Sequence, residues 1–185
     1  MKLLYTLLMK KETFILKNHN NEQEEIEIKA TLAIRDKNIK GSFKIAGELE
    51  NYLFDKPQKQ SRKDELWKRT CFELFLANND KPNYYELNMS PSSEWNFYHF
   101  SDYKQEMKEE KNISNPSIHC SKVPKGYLFS FEFELYTNVV EDNFILNLAV
   151  ILLDRQGIRH FYSIHRRSEN VDFHDKAYWN LKYLK

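Results

Sequence analysis

The sequence predicts an all-β fold, an antiparallel β-sandwich of jelly-roll-like form, and three stretches carry that prediction. Residues 26–34 alternate, with Ile26, Ile28, Ala30, Leu32 and Ile34 set against Glu27, Lys29, Thr31 and Ala33. Residues 71–90 run through the same period twice, on either side of the turn-forming Asn78, Asn79, Asp80, Lys81 and Pro82. Residues 144–153, FILNLAVILL, are nearly all apolar, as a strand buried on both faces would be. Helical periodicity is scarce, and the turn spacing accommodates roughly nine or ten strands. A length of 185 residues suits one compact domain with a real core, spanning 1–185.

The elements follow in order. The amino-terminal MKLLYTLLMKKETF holds an apolar run of only about seven residues, short of a signal-peptide core and far short of a membrane span. A first strand and a cytoplasmic location are therefore expected. Residues 12–17 read as a short strand closed by Asn18-His19-Asn20-Asn21, and the alternating run from residue 24 as a long half-buried one. Asp36-Lys37-Asn38 forms a turn, and residues 39–46 pair back. Residues 48–54 suit a short helical turn or an irregular edge. Residues 55–65 lack periodicity, carry Pro57 and include the basic Lys56, Lys59, Arg62 and Lys63. They read as a solvated connector, placed where a loop could fold over a binding face.

Residues 101–115, rich in Lys and Glu, suit a short exposed helix or a mobile excursion, with Tyr103 and Met107 at helical spacing. Residues 117–123 and 127–136 form a hairpin across Pro124-Lys125-Gly126. Its second strand sets Tyr127, Phe129, Phe131, Phe133 and Leu135 against Leu128, Ser130, Glu132 and Glu134. After 144–153, Asp154-Arg155-Gln156-Gly157 turns the chain and residues 158–164 pair back. The tail from His165 is irregular, with a last strand near Leu181.

The central hairpin is where chemistry gathers. Placing Phe72, Leu74 and Leu76 with Tyr85, Leu87 and Met89 on one face puts Cys71, Glu73 and Phe75 with Glu86, Asn88 and Ser90 on the other. A register one residue off would send the carboxylates into the core. Two acids, an amide and a hydroxyl then share one face at cross-strand distances of roughly 5 Å. Like charges that close call for a cation, a shared proton, an arginine such as Arg69 or Arg62, or a polyhydroxyl ligand. The rings of Trp95-Asn96-Phe97-Tyr98-His99-Phe100 follow at once.

Composition narrows the classes. A net charge of +1 with interspersed Lys and Glu argues against a nucleic-acid partner, and the lack of a long apolar run against a membrane one. Only 4 glycines are present, so no phosphate-cradling loop can be drawn. No CxxC or HExxH occurs, which argues against a zinc framework. Cys71 and Cys120 leave a disulfide or two free thiols open. Aromatic residues make up 15% of the chain, enough for a core and for stacking on a ligand.

Trp67-(x3)-Cys71-Phe72-Glu73-x-Phe75, then Tyr85-Glu86-x-Asn88-x-Ser90-Pro91-x3-Trp95-x2-Tyr98-x-Phe100, then His165 and Asp172-Phe173-His174, resemble the bacterial DOMON-like proteins, themselves similar to family 9 carbohydrate-binding modules. The resemblance is strongest between Trp67 and Tyr103. Ser93 stands where that family often has Gly, and Val171 where Pro is usual. The resemblance implies a sandwich with one concave sheet that binds sugars in some relatives and haem in others. It implies calcium only by analogy, with no ligand set.

Sugar recognition needs flat rings and planar polar groups. The expected ligand-binding set is Trp67, Arg69, Glu73, Glu86, Asn88, Trp95, Tyr98, His165, Asp172 and His174, taking a carbohydrate or other small polar ligand without catalysis. Three alternatives stand beside it. A haem site would draw on His99, His165 or His174. An interaction module would use a sheet edge or the aromatic face. A glycoside hydrolase would use Glu73 and Glu86 at about 5–5.5 Å.

Overall fold

Twelve strands run through residues 10–20, 26–136, 144–166 and 170–179, which are those described by the computed structural model. They are β1 (Lys10–Asn18), β2 (Glu27–Arg35), β3 (Asn38–Ala46), β4 (Ser61–Arg62), β5 (Cys71–Asn78), β6 (Tyr84–Met89), β7 (Glu94–Phe100), β8 (Lys108–Glu109), β9 (Ser117–Val123), β10 (Gly126–Glu134), β11 (Phe144–Leu153) and β12 (Arg159–Ser163). The apolar run before Lys10, the start of the alternating run at residues 24 and 25, and the strand expected near Leu181 lie outside the described residues.

The hydrogen-bonded order is β4-β7-β6-β5-β11-β12-β1-β2-β3-β10-β9, with β8 added beside β7. β1 makes the corner between two layers. Its first part pairs with β2, from Lys10↔Ile34 to Leu16↔Ile28, while Lys17 and Asn18 pair with Ser163 and Tyr162 of β12. One layer is thus β1-β2-β3-β10-β9 and the other β4-β7-β6-β5-β11-β12.

The layers meet through aromatic rings. Phe72 of β5 stacks on Phe129 of β10 with centroids 3.9 Å apart and planes 14° apart, and Phe43 of β3 lies 5.1 Å from Phe72. Alternation in β2 and β3 buries one face and leaves the other to pairs such as Lys40–Glu132. Gly41 sits opposite Phe131 in the register, and a Cβ there would come within 2.4 Å of that ring.

β5, β6, β7 and β11 are buried on both faces. For β11 that matches its apolar run. For the hairpin it is a correction: the side away from the sandwich core is not an open polar surface. A second apolar cluster covers much of it, assembled from Phe75, Tyr84 and Tyr98 of the sheet and from Leu66, Phe173 and Trp179 above. Leu66 belongs to a short 3-10 turn, Leu66–Lys68. Phe173 and Trp179 belong to the C-terminal segment, where the Trp179 indole N–H donates to the Phe173 carbonyl at 2.8 Å. The Lys176 ammonium donates to the carbonyls of Lys81, Pro82 and Asn83 at 2.8, 2.6 and 3.0 Å, tying this segment to the β5–β6 turn.

Two connectors also differ from expectation. Residues 101–115 form turns, the two-residue β8 and bridges such as Ile113↔Leu135, not a helix. Within 55–65, Ser61 and Arg62 extend the second layer by pairing parallel to Glu94 and Trp95. Residues 48–54 take the irregular form, with Tyr52 bridging to Asp154. Cys71 and Cys120 are free thiols on different layers.

Candidate functional site

The β5–β6 register is the one the hydrophobic pattern requires. Phe72 pairs with Met89, Leu74 with Leu87 and Leu76 with Tyr85, so Glu73 faces Asn88 and Phe75 faces Glu86 on the outer side. The two acids are therefore diagonal neighbours, for which backbone spacing is about 7–8 Å, rather than directly opposed. β11 extends this face, placing Asn147 opposite Phe75 and Ala149 opposite Glu73. β12 adds Phe161 opposite Ile151.

A cleft of about 320 Å³ opens onto this face. Glu73 and Glu86 lie at its floor with Ile151. Trp67, Phe100, Phe161 and Phe173 supply rings, and Lys104, Met107, Arg159, Val171, Asp172 and His174 complete the wall. The 3-10 turn holds Trp67 on one side, its ring edge-on to Tyr98 at 5.9 Å. The C-terminal segment holds Asp172 and His174 on the other.

Burial dominates the electrostatics. Glu73 is 2% exposed, and burial, then the charge of Glu86, push its carboxyl well above the usual range. Burial likewise raises Glu86 to about 7, against a hydrogen bond from the Asn88 amide to Glu86 Oε1 at 2.7 Å. Holding protons, which both raised acids do more readily than exposed ones, relieves their repulsion. The Cys71 thiol, raised by burial and by both glutamates, hydrogen-bonds Glu73. Burial, then the Lys104 charge, lower His174 to about 4, so its imidazole is neutral. Burial alone would raise Asp172; hydrogen bonds from the Tyr103 hydroxyl and the Lys104 ammonium outweigh it and hold the carboxyl below its ordinary value. The Lys104 Nζ to Asp172 Oδ2 distance is 3.0 Å.

Of the residues expected from sequence, Trp67, Glu73, Glu86, Asp172 and His174 line the cleft together. Asn88 is fully buried beneath it as the partner of Glu86. Tyr98 supports Trp67 while its hydroxyl donates to Asp64 at 2.8 Å. The others fall elsewhere. Trp95 is on the opposite face of β7, inside the sandwich core under the Arg62 guanidinium, because its alternation phase is that of Phe97 and not of Tyr98. Arg69 pairs with Asp55 at 2.9 Å at the rim of a separate, polar depression. His165 does not line the cleft; its carbonyl accepts from the Ser163 hydroxyl at 2.8 Å.

Arg159 and Phe161 were absent from the expected set, although alternation with Tyr162 could have placed them on the outer face. Nothing in the local sequence marks Lys104. Among the described residues no group of three or more His, Cys, Asp or Glu side chains is arranged to hold a metal ion. Of the histidines considered for haem, only His174 lines the cleft.

No family model matches the chain, and no curated protein matches it. Among solved structures, a protein from Bacteroides uniformis described as a proposed carbohydrate-binding protein aligns over 92% of this chain and 84% of its own, with TM-score 0.66 and 10% identity. A family 9 carbohydrate-binding module from Caldicellulosiruptor kristjanssonii in complex with cellotriose aligns over 83% of this chain and 72% of its own, with TM-score 0.47 and 13% identity. Such a module from the same organism, in complex with glucose, covers 86% of this chain and 88% of its own, with TM-score 0.45 and 12% identity. At 10% identity the likeness to the Bacteroides uniformis protein is one of fold, and with the pairing above it gives the chain a β-sandwich.

Proposed function

We propose that this protein binds a small carbohydrate in the cleft above β5 and β6, without catalysing a reaction on it. One observation carries the reading: a small cleft with several aromatic rings in its wall has carboxyl groups at its floor, and a buried oxygen of Glu73 has no partner. Flat rings match the C–H faces of a sugar, and carboxyl and amide oxygens match its hydroxyl groups. A volume of about 320 Å³ is at the low end for ligand pockets, which suits a mono- or disaccharide better than a long chain. The similarity in fold to a proposed carbohydrate-binding protein supports the same reading, as does the motif order shared with DOMON-like proteins.

Binding is favoured over hydrolysis by the charges. A retaining glycosidase needs one ionised carboxylate beside one protonated acid, in distinct environments. Here burial raises both glutamates together.

Isothermal titration against a panel of mono- and disaccharides tests the proposal. At least one should bind, and Trp67→Ala should weaken it tenfold or more while leaving the fold intact. The reading fails if no saccharide binds, or if Trp67→Ala leaves the affinity unchanged.

A further inference from the structure

The sheet face under the cleft is short of donors, and of its orphan oxygens that of Glu73 belongs to a residue lining the cleft. Glu73 Oε1, Asn88 Oδ1 and Asn147 Oδ1 are each buried without a hydrogen-bond partner. They lie on three adjacent strands of one face, Asn88 opposite Glu73 and Asn147 two positions along from it. The amide donors nearby are engaged, and His174 Nε2 stands off Glu86 Oε2 at 3.9 Å, beyond hydrogen-bond reach. The Asn88 amide N–H donates to Glu86, and that of Asn147 to the Phe173 carbonyl at 3.4 Å. Turning the Asn88 amide over would set its oxygen against the Glu86 carboxyl, so the shortage stays.

Charge is short in the same direction. Lys104 is paired with Asp172 at 3.0 Å, and the Arg159 guanidinium donates to the Trp67 carbonyl at 3.2 Å beside the Phe161 ring. Among the described residues no lysine or arginine forms an ion pair with Glu73 or Glu86.

A sugar hydroxyl meets this need poorly, since it brings one donor and two lone pairs that themselves require donors. A protonated amine brings three donors, a positive charge and no lone pair. Building on the carbohydrate reading above, we propose that the ligand carries a protonated primary amine that seats between Glu73 and Glu86, which makes it an amino sugar. The rings of the wall hold the sugar body, and the ammonium takes the place of a proton that the buried acids otherwise hold.

The groups that face this pair fix its pH response. They are Cys71 on β5, Tyr84 on β6, Tyr98 on β7, Arg159 on β12, Lys104 after β7, and Asp172 and His174 on the C-terminal segment. Of these, burial lowers His174 to about 4, below the range used, while it raises Glu86 itself to about 7.

The test is calorimetric titration of the intact protein with three matched probes, the free amine, hydroxyl and N-acetyl forms of one hexose, in the gluco, galacto and manno series, and with cyclohexylamine as an amine that is not a sugar, at pH 5.5 and 7.5. The expected result is that one amine binds at least tenfold tighter than its hydroxyl and N-acetyl counterparts at pH 7.5. Its binding releases protons, and its advantage shrinks severalfold at pH 5.5. Trp67→Ala should weaken all binding forms alike, whereas Glu73→Gln should weaken the amine alone. Equal or tighter binding of the hydroxyl or N-acetyl form overturns the amine inference and leaves the carbohydrate reading standing. Binding of cyclohexylamine with no binding of any sugar supports the cationic site and overturns the carbohydrate reading. Silence from every probe overturns both.

Discussion

His174 Nδ1 lies 2.7 Å from the Tyr84 hydroxyl, joining residues 90 positions apart at the wall of the cleft. The Tyr84 oxygen also accepts from the Lys104 backbone N–H at 3.1 Å, and with that lone pair used its hydroxyl is best placed to donate to His174 Nδ1. The other ring nitrogen then carries the hydrogen, and it faces Glu86 Oε2 at 3.9 Å. A turn after β7, a strand and the C-terminal segment are thus locked around one tautomer, and the acid at the floor faces an N–H rather than a lone pair.

Tyr84→Phe removes the donor and keeps the ring, which stacks on Phe100 at 4.6 Å. The loss should be about 1 kcal/mol of stability, with ligand affinity reduced severalfold as the imidazole loses its orientation. Nitrogen-15 shifts of His174 report this directly. The wild type should hold one neutral tautomer from pH 7 down to about 5, since burial lowers its pKa to about 4. A ring that titrates near 6.5 would show that it is hydrated instead.

The two tryptophans proposed for the site separate cleanly. Trp95 is 2% exposed in the sandwich core, so Trp95→Ala should cost about 3–5 kcal/mol and leave the affinity of the folded fraction unchanged. Trp67 lines the cleft and is only half-buried. Its replacement by Ala should lower the melting temperature little and remove the ligand-induced change in tryptophan fluorescence.

That separation marks what the sequence could and could not disclose. A period of two assigns each residue to a face, which is why the shared face of Glu73, Glu86 and Asn88 was legible, while their pairing, Glu73 opposite Asn88 and not Glu86, was not. The same period, carried one strand further, puts Trp95 with Phe97 in the core; nearness in sequence to Tyr98 was the weaker guide. Alternation does not say what lies above a face. Phe173 and Lys104 reach the cleft, and Trp179 the apolar cover beside it, through long-range contacts that no local pattern encodes, so the acids were expected at an open surface and are buried instead.

Ser93 has φ 72°, in the left-handed region that favours glycine, while its N–H donates to the Ser90 carbonyl at 3.0 Å. A left-handed conformation costs an L-residue roughly 1–2 kcal/mol, partly balanced by the freedom glycine adds to the unfolded chain. Ser93→Gly should therefore raise stability by up to about 1 kcal/mol, read as a higher denaturation midpoint at constant m-value. A drop would mean that the serine hydroxyl matters more than the backbone strain.

Glu86 makes the fold sensitive to pH in a definite direction. Burial, partly offset by the Asn88 hydrogen bond, lifts its pKa from 4.5 to about 7. The folded chain therefore holds this proton when the unfolded chain has released it, and between those two values stability falls as pH rises. The full loss is about 3 kcal/mol, reached above pH 7. His174 and His19 act oppositely, because burial lowers each to about 4 from 6.5, so their contribution rises with pH between those values. The opposing slopes partly cancel in the wild type, but they are common to Glu86→Gln and drop out of the difference. Denaturation of both proteins in urea from pH 4.5 to 8 should show the variant gaining stability relative to the wild type through pH 5–7, with the difference constant above. A difference that stays flat across that range would mean that water reaches Glu86 in the folded state, and the buried pair of acids would then impose no demand on a ligand.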